Sequence, residues 1–148
     1  MDFRILGPFE VTGTAGGLEL RGMKRRSLLA YLVTHPGQPI STDRLVSELW
    51  RDGGSGAVRT VQTYVSQLRR LLDGEDVRLD TRPGGYVLEV DPTTVDASRF
   101  ERAVTASGTE ADAARRLALL DGALELWRGR PLARAAARRT TTSMCSRL

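Results

Sequence analysis

The stretch TVQTYVSQLRRLL, residues Thr60–Leu72, has the pattern of an amphipathic helix with an unusual polar side. At about 100° per residue, its apolar side chains form one narrow stripe that also includes Val58, two residues before the stretch. The spacings of that stripe are 3, 4, 3 and 4, at Val58, Val61, Val65, Leu68 and Leu72. The opposite side carries Thr, Gln, Ser and Arg but no acid, whereas most solvated helix faces are rich in Glu and Lys. This face therefore requires its own explanation.

The segments around this helix predict two further helices and a hairpin. MKRRSLLAYLVTH, residues 23–35, has helical spacing and ends before Pro36. STDRLVSELW, residues 41–50, is a second helix that Ser41 or Thr42 caps, with Asp43 in its first turn. After the opening helix, VRLDT (77–81) and YVLEV (86–90) alternate as strands do. RPGG joins them as a tight turn with Arg82 at the tip.

The N-terminal residues predict a small antiparallel sheet. FRILG (3–7), FEV (9–11) and LEL (18–20) are short apolar strands separated by Gly-Pro and TGTAGG turns. The chain order is then strands, helix, helix, loop, helix and hairpin. A helix pair followed by a hairpin is the layout of a winged helix-turn-helix, so the predicted fold class is α+β.

The acid-free face has the residue types that read DNA. Arg suits guanine, Gln suits adenine, and Ser and Thr suit phosphates and thymine methyl groups. The predicted DNA-binding residues on the helix are Arg59, Thr60, Gln62, Thr63, Ser66, Gln67, Arg69 and Arg70. Arg82 at the hairpin tip is predicted to enter a minor groove, where negative potential favours arginine. The alternative is that these side chains only solubilise a surface helix.

Charge supports this interpretation locally rather than globally. The chain of 148 residues has a net charge of +4, but residues 1–93 hold 12 basic and 12 acidic residues. Residues 21–26 and 57–72 are nevertheless basic and free of acids, which builds a positive surface on a neutral domain. Lys24, Arg25 and Arg26 are possible contacts to the DNA backbone, or alternatively a solvated basic turn.

Several function classes have no support in the sequence. A single cysteine, Cys145, precludes an internal disulfide and fits a reducing compartment. There is neither an apolar run near 18 residues nor the plan of a signal peptide, so we expect a cytoplasmic protein without membrane contact. HExxH, paired cysteines and a nucleophile elbow are all missing, and His35 is the only histidine. We therefore expect no enzyme activity, no cofactor and no metal.

The motifs together resemble a known family. FRILGPFEV (3–11), the segment from Lys24 to Trp50, VQTYVSQLRRLL (61–72) and TRPGGYVLEV (81–90) are similar, in order and spacing, to the DNA-binding region of the Streptomyces antibiotic regulatory proteins, the SARP family. The resemblance implies an OmpR-like winged helix over residues 1–93, with Tyr86 packed inward. It also implies that the loop RDGGSG contacts RNA polymerase, through residues such as Arg51, Asp52 and Ser55.

The resemblance continues into the C-terminal third. DASRFERAV (96–104) and ALLDGALELWRGRPLA (118–133) resemble the start of the family's bacterial transcriptional activation domain, assigned here to residues 94–133. An apolar stripe accompanies it, at Ala113, Leu117, Leu120, Leu124 and Trp127. Residues 134–148 depart from the family pattern and are expected to be an irregular basic tail. That tail is either a truncated or frameshifted end or an extension with non-specific DNA affinity.

The family resemblance implies an activator of an antibiotic or other secondary-metabolite gene cluster. Its partners would be double-stranded promoter DNA with direct repeats, bound as tandem or dimeric units, and RNA polymerase. Two alternatives stay open. One is a DNA binder that occupies promoters without activating them, because its activation domain is incomplete. The other is a protein-interaction module whose polar helix is merely solvated.

Overall fold

The computed structural model describes residues 1–50 and 56–130. The strands are β1 Asp2–Arg4, β2 Glu10–Gly13, β3 Gly16–Gly17, β4 Arg78–Arg82 and β5 Gly85–Glu89. The α-helices are α1 Met23–Val33, α2 Thr42–Leu49, α3 Ala57–Leu71, α4 Asp96–Thr109 and α5 Ala113–Glu125, and a short 3-10 helix covers Pro92–Thr94. The predicted winged helix-turn-helix order is confirmed.

The described residues form two compact units. The central unit is Glu19–Val90, which contains α1, α2, α3 and the β4–β5 hairpin. The split unit combines Met1–Leu18 with the described residues from Asp91 onward, and therefore joins β1, β2 and β3 with α4 and α5. The domain boundaries expected near residues 93 and 133 stay predictions.

Helix α1 is the centre of the central unit. Every residue from Ser27 to Val33 is buried, so the second half of the helix is enclosed on all sides. A helix that is apolar all round belongs in a core rather than at a surface. The core therefore includes Leu28, Leu29, Leu32 and Val33, which share one side at helical spacing, and also Ala30 and Tyr31.

Helix α2 begins as the sequence predicts. The Ser41 side chain accepts a hydrogen bond of 3.2 Å from the backbone N–H of Arg44, and Asp43 lies in the first turn. Leu45 and Leu49 form its buried side. At its far end, the Lys24 ammonium of α1 donates to the Leu49 carbonyl and lies 5.4 Å from the centre of the Trp50 ring. A cation at a helix C-terminus binds carbonyls that no helical N–H satisfies.

The three-stranded sheet of the split unit has the order β1-β2-β3, antiparallel throughout. Phe3 pairs with Val11 in register, and its side chain is fully buried. The predicted third strand at Leu18–Leu20 is wrong. The strand is Gly16–Gly17, and only one further backbone hydrogen bond follows it, from Leu18 N–H to the Val11 carbonyl at 2.9 Å.

A buried carboxylate explains why β1 stops at Arg4 instead of running to Gly7. Asp96 is 1% exposed, and its two oxygens accept hydrogen bonds from the backbone N–H groups of Ile5 at 2.8 Å and Leu6 at 3.0 Å. It also accepts one from its neighbour Ala97 at 2.8 Å. These amides bind a side chain at the start of α4 rather than a neighbouring strand.

Helices α4 and α5 bury less apolar surface than their sequences suggest. Phe100 and Trp127 pack edge to face with ring centres 5.6 Å apart, although Trp127 stays 37% exposed. Ala123 is the buried residue of α5, whereas Leu117 and Leu124 are 60% and 63% exposed. The predicted apolar stripe is therefore not all core in the described residues.

Candidate nucleic-acid interface

Helix α3 presents the polar face expected from its sequence. Its inward side is held by Val61, Val65 and Leu68, all 1% exposed or less. The outward side is exposed, at Val58, Arg59, Gln62, Thr63, Ser66, Arg69 and Arg70. Thr60 and Gln67 are half-buried at one edge of that side. No acid occurs on the helix, and its two C-terminal arginines suit the dipole.

Val58 is a correction to the predicted stripe. Its side chain is 46% exposed, because at about 100° per residue it lies at the edge of the row of buried side chains that Ala57, Val61 and Val65 form. It precedes Gln62 by four residues and so shares its face. An exposed apolar side chain among polar ones suits the methyl group of thymine, which sequence reasoning missed because valine at helical spacing indicates core.

Arg59 and Arg70 are the cations available on this face. Both are exposed, and neither has an ion-pair partner or a side-chain hydrogen bond among residues 1–50 and 56–130. They are 11 residues apart, which is three helical turns and about 16 Å along the axis. The two guanidinium groups therefore lie on the same side of the helix.

The two threonines are hydrogen-bonded within the helix. The Thr63 hydroxyl donates to the Arg59 carbonyl at 2.9 Å, and the Thr60 hydroxyl donates to the Gly56 carbonyl at 3.0 Å. A threonine that bonds back to the previous turn has used its only proton. In this arrangement each presents a methyl group and an acceptor oxygen, not a donor for phosphate.

Arg69 connects the helix to the hairpin, which we call the wing (β4–β5). Its Nε donates to the Leu79 carbonyl at 2.7 Å, and its Nη2 donates to the Thr81 hydroxyl at 2.7 Å. The structure thus places this predicted DNA contact against β4. Its guanidinium fixes the orientation of the wing relative to the outward face of α3.

Close to its tip, the wing is joined to the segment before α2 by backbone pairing. Ile40 and Tyr86 exchange two hydrogen bonds of 2.9 Å as an antiparallel bridge. Tyr86 is buried, as expected. At Gly85, with φ of +138°, a Cβ atom would lie 2.0 Å from the Ile40 carbonyl oxygen. Only glycine permits this approach.

The wing tip is a two-residue turn, Pro83–Gly84, between the paired Arg82 and Gly85. Arg82 is exposed, but its Nη2 forms an ion pair of 2.9 Å with the Glu89 carboxylate. The predicted minor-groove arginine therefore lies along the hairpin and not beyond its tip. Glu89 is a residue that sequence reasoning missed, because the pairing depends on the twist of the strands.

The basic residues that open α1 are engaged with the protein. Lys24 binds the end of α2, as described above. The Arg25 Nη1 donates to the Gln67 side-chain oxygen at 3.1 Å, and its Nη2 donates to the Arg21 carbonyl. Arg26 is half-buried. The predicted polymerase-contacting residues Arg51, Asp52 and Ser55 lie outside the described residues.

Other site classes have little support in the described ranges. Residues 1–50 and 56–130 bring together no group of three or more His, Cys, Asp or Glu side chains that could hold a metal. Within the same ranges, every helix is too short or too polar to cross a membrane.

Two family models match the chain in succession. "Transcriptional regulatory protein, C terminal" matches residues 19–88, which is nearly the central unit, and "Bacterial transcriptional activator domain" matches residues 95–148. The transcriptional regulator RedD of Streptomyces coelicolor is 33% identical over 138 residues, covering 87% of this chain and 39% of its own length. The regulatory protein DnrI of Streptomyces peucetius is 32% identical over 144 residues, covering 87% of this chain and 52% of its own.

The chain belongs to the SARP family of transcriptional regulators. The chain is also 36% identical over 138 residues to the transcriptional regulatory protein EmbR of Mycobacterium tuberculosis. The solved structure of EmbR with a low-affinity phosphopeptide superposes with a TM-score of 0.82 at 34% identity, covering 88% of this chain and 37% of that one. The SARP chain thus spans about a third to a half of the length of these relatives.

The family match also bears on the C-terminal residues. The activator-domain model extends to residue 148, so it includes residues 134–148, which were expected to be an irregular basic tail. Both family models describe transcription regulators.

Proposed function

We propose that the central unit binds promoter DNA with α3 in the major groove and the wing at the adjacent minor groove. The observation that supports this most directly is the exposed, acid-free side of α3 with Arg59 and Arg70 unpaired among the described residues. Their separation of about 16 Å corresponds to roughly five base pairs at 3.4 Å each. One helix lying in one groove can therefore place both arginines at guanine edges.

The other predicted contacts divide into two groups. Gln62 and Ser66 are exposed and make no side-chain hydrogen bond within the described residues, so they suit base edges or phosphates. Arg69 and Arg82 are engaged within the protein. Arg69 positions the wing, and Arg82 reaches DNA by exchanging Glu89 for phosphate or a narrow minor groove.

The biological role that we propose is activation of a secondary-metabolite gene cluster in the cytoplasm. It rests on the similarity to RedD and DnrI and on the match to the activator domain. By the same similarity, the chain would bind direct repeats as a tandem or dimeric unit and contact RNA polymerase. A DNA binder that occupies promoters without activating them is the second candidate, and a promoter-reporter assay separates the two.

The first experiment is a gel shift with promoter fragments from the gene's own neighbourhood, with competitor DNA, at two salt concentrations. We expect a specific complex that salt weakens steeply, because phosphate contacts release counterions. A protein-interaction module would show no such complex.

Substitution of the two unpaired arginines tests the reading face. Arg59→Ala and Arg70→Ala should each cost roughly 1–3 kcal/mol of specific binding. Arg115→Ala is the matched control, since it removes an exposed arginine from α5 in the split unit. Unchanged affinity in both α3 variants would contradict the proposed orientation.

A further inference from the structure

Two glutamines on α3 have different surroundings. Gln62 is exposed, and its amide makes no hydrogen bond with another described residue. Gln67 is half-buried, and its side-chain oxygen accepts a hydrogen bond of 3.1 Å from Arg25 Nη1. The first amide can rotate to present either its oxygen or its NH₂ group, whereas the second is held by a contact from α1.

The chemistry of arginine fixes which way the Gln67 amide faces. A guanidinium group only donates hydrogen bonds, so the atom next to it must be the amide oxygen. The NH₂ group, with two donor protons, is then directed away from Arg25. A glutamine that reads adenine needs its oxygen for one half of the bidentate pair and its NH₂ for the other.

Arg25 is itself held at more than one point. Its Nη2 donates to the Arg21 carbonyl, so both terminal nitrogens have protein partners. Its Nε is buried and makes no hydrogen bond within the described part of the chain. This guanidinium is thus committed to protein contacts, which distinguishes it from the exposed Arg59 and Arg70.

We infer that Arg25 is a positioning residue that makes Gln67 a hydrogen-bond donor toward DNA, at the edge of the interface nearest α1. The inference rests on the proposed function. The group on DNA is an acceptor, either a phosphate oxygen or an acceptor-only base edge such as guanine O6 and N7. Arg25 acts through Gln67 and does not itself touch phosphate.

A double-mutant cycle tests this on the full chain, with a duplex that the wild type selects from a random pool. Arg25→Ala should weaken binding roughly five-fold, the value of about one hydrogen bond. In a Gln67→Ala background the same change should have less than about a two-fold effect, because the group it positions is gone. Additive effects of the two substitutions would overturn the inference.

Salt dependence separates positioning from direct contact. If Arg25 bound a phosphate, Arg25→Ala would reduce the slope of log affinity against log salt by about 0.9. We expect the slope to be unchanged. Lys24→Ala is the matched control, since Lys24 precedes Arg25 on α1 but donates to the Leu49 carbonyl, and its effect should add to that of Gln67→Ala.

Gln67→Glu keeps the test decisive if Arg25→Ala does not fold. The carboxylate still pairs with Arg25 but has no proton to donate, so binding should fall by roughly ten-fold or more. A change below two-fold would show that Gln67 does not face DNA. In the wild type, 7-deazaguanine and methylphosphonate substitutions then identify the acceptor as a base edge or a phosphate.

A wild type that selects no duplex would contradict the proposed function itself. A wild type that binds specifically, with an additive cycle, would contradict only the role of Arg25.

Discussion

The molecule contains two small antiparallel sheets that are attached in different ways. The wing is attached close to its tip by backbone pairing between Ile40 and Tyr86, with Arg69 of α3 bonded to β4. The N-terminal sheet also has one backbone bridge, from Phe3 to Val95. Its buried polar anchor, however, is a single carboxylate, Asp96, that binds two amides about 90 residues earlier in the chain.

The way in which each sheet is attached determines how much of its surface is free for polar side chains. Apart from the glycine required at position 85, backbone pairing places few demands on side chains, so the outer surface of the wing can carry exposed polar residues such as Arg78, Thr81 and Arg82. A carboxylate anchor is strongest where water is excluded, and Asp96 is almost fully buried. The wing is therefore suited to an exposed role, whereas the N-terminal sheet is built into the core of the split unit.

The largest expected effect is that of Gly85→Ala, which challenges the backbone attachment directly. A Cβ atom 2.0 Å from the Ile40 carbonyl oxygen forces the Ile40–Tyr86 bridge apart, at a residue whose φ is already +138°. We expect a loss of about 4 kcal/mol of unfolding free energy from strain and clash together. Chemical denaturation measures it.

Gly84→Ala is the control for that variant. Its φ of +96° is also strained, but the added Cβ would lie 3.6 Å from Pro39 Cβ, an ordinary contact. Equal losses in the two variants would mean that φ alone matters and that the backbone approach at Gly85 does not.

Asp96→Ala tests the side-chain anchor and should cost about 3 kcal/mol, because buried amides of Ile5 and Leu6 lose their acceptor. Hydrogen exchange should show faster exchange at those two amides, whereas amides of the central unit such as Tyr86 keep their protection. Equal loss of protection at amides of both units would show that Asp96 does not act locally on the amides of Ile5 and Leu6.

Arg69→Ala tests whether an α3 side chain holds the wing. We expect the unfolding free energy to fall by about 1 kcal/mol, because two charge-assisted hydrogen bonds near the surface are lost. Arg70→Ala, its exposed neighbour, should leave stability unchanged while weakening DNA binding. Thermal melts measure the stability and anisotropy titrations measure the DNA binding. If Arg70→Ala lowered stability and Arg69→Ala did not, Arg70 rather than Arg69 would hold the wing.

Glu89→Gln tests whether the wing arginine is restrained. Breaking the exposed Arg82–Glu89 pair costs little stability and removes a negative charge, so DNA affinity should rise roughly two- to five-fold at low salt. In an Arg82→Ala background the gain should largely disappear. If Glu89→Gln raised DNA affinity equally in the Arg82→Ala background, the cause would be the loss of a negative charge and not the release of Arg82.

The smallest effect concerns Asp91, an exposed carboxylate that contrasts with Asp96. The Thr93 backbone N–H, and then its hydroxyl, bond to Asp91 and hold its pKa below the ordinary 3.8. A depressed pKa stabilises the fold above pH 3.8, and this contribution is lost as pH falls through the folded-state pKa. The stability difference between wild type and Asp91→Asn should therefore shrink below that pH in acid titrations.

The sequence predicts elements whose signals are local. The 3.6-residue period locates α3, Ser41 marks the start of α2, and RPGG marks the wing turn. The outward face of α3 follows from the same period, except at Val58, which lies at the edge of the buried row and is exposed.

Features that depend on distant residues were not predictable in this way. Asp96 is an unremarkable acid in the sequence, and only the fold brings it to the amides of Ile5 and Leu6. The engagement of Arg25, Arg69 and Arg82 likewise depends on how α1, α3 and the wing pack and twist. Residue type predicts which side chains are able to contact DNA, but not which of them form hydrogen bonds or ion pairs within the protein.

The anchor at Asp96 also sets an order of events during synthesis. The N-terminal residues leave the ribosome long before residue 96 is made, so the amides of Ile5 and Leu6 have no acceptor at that stage. Glu19–Val90, in contrast, is one contiguous stretch that is complete before Asp96 is added. Contacts of short sequence separation form first, and chains fold from the N-terminal side as they emerge. The central unit is thus expected to fold before the residues that precede it in the chain.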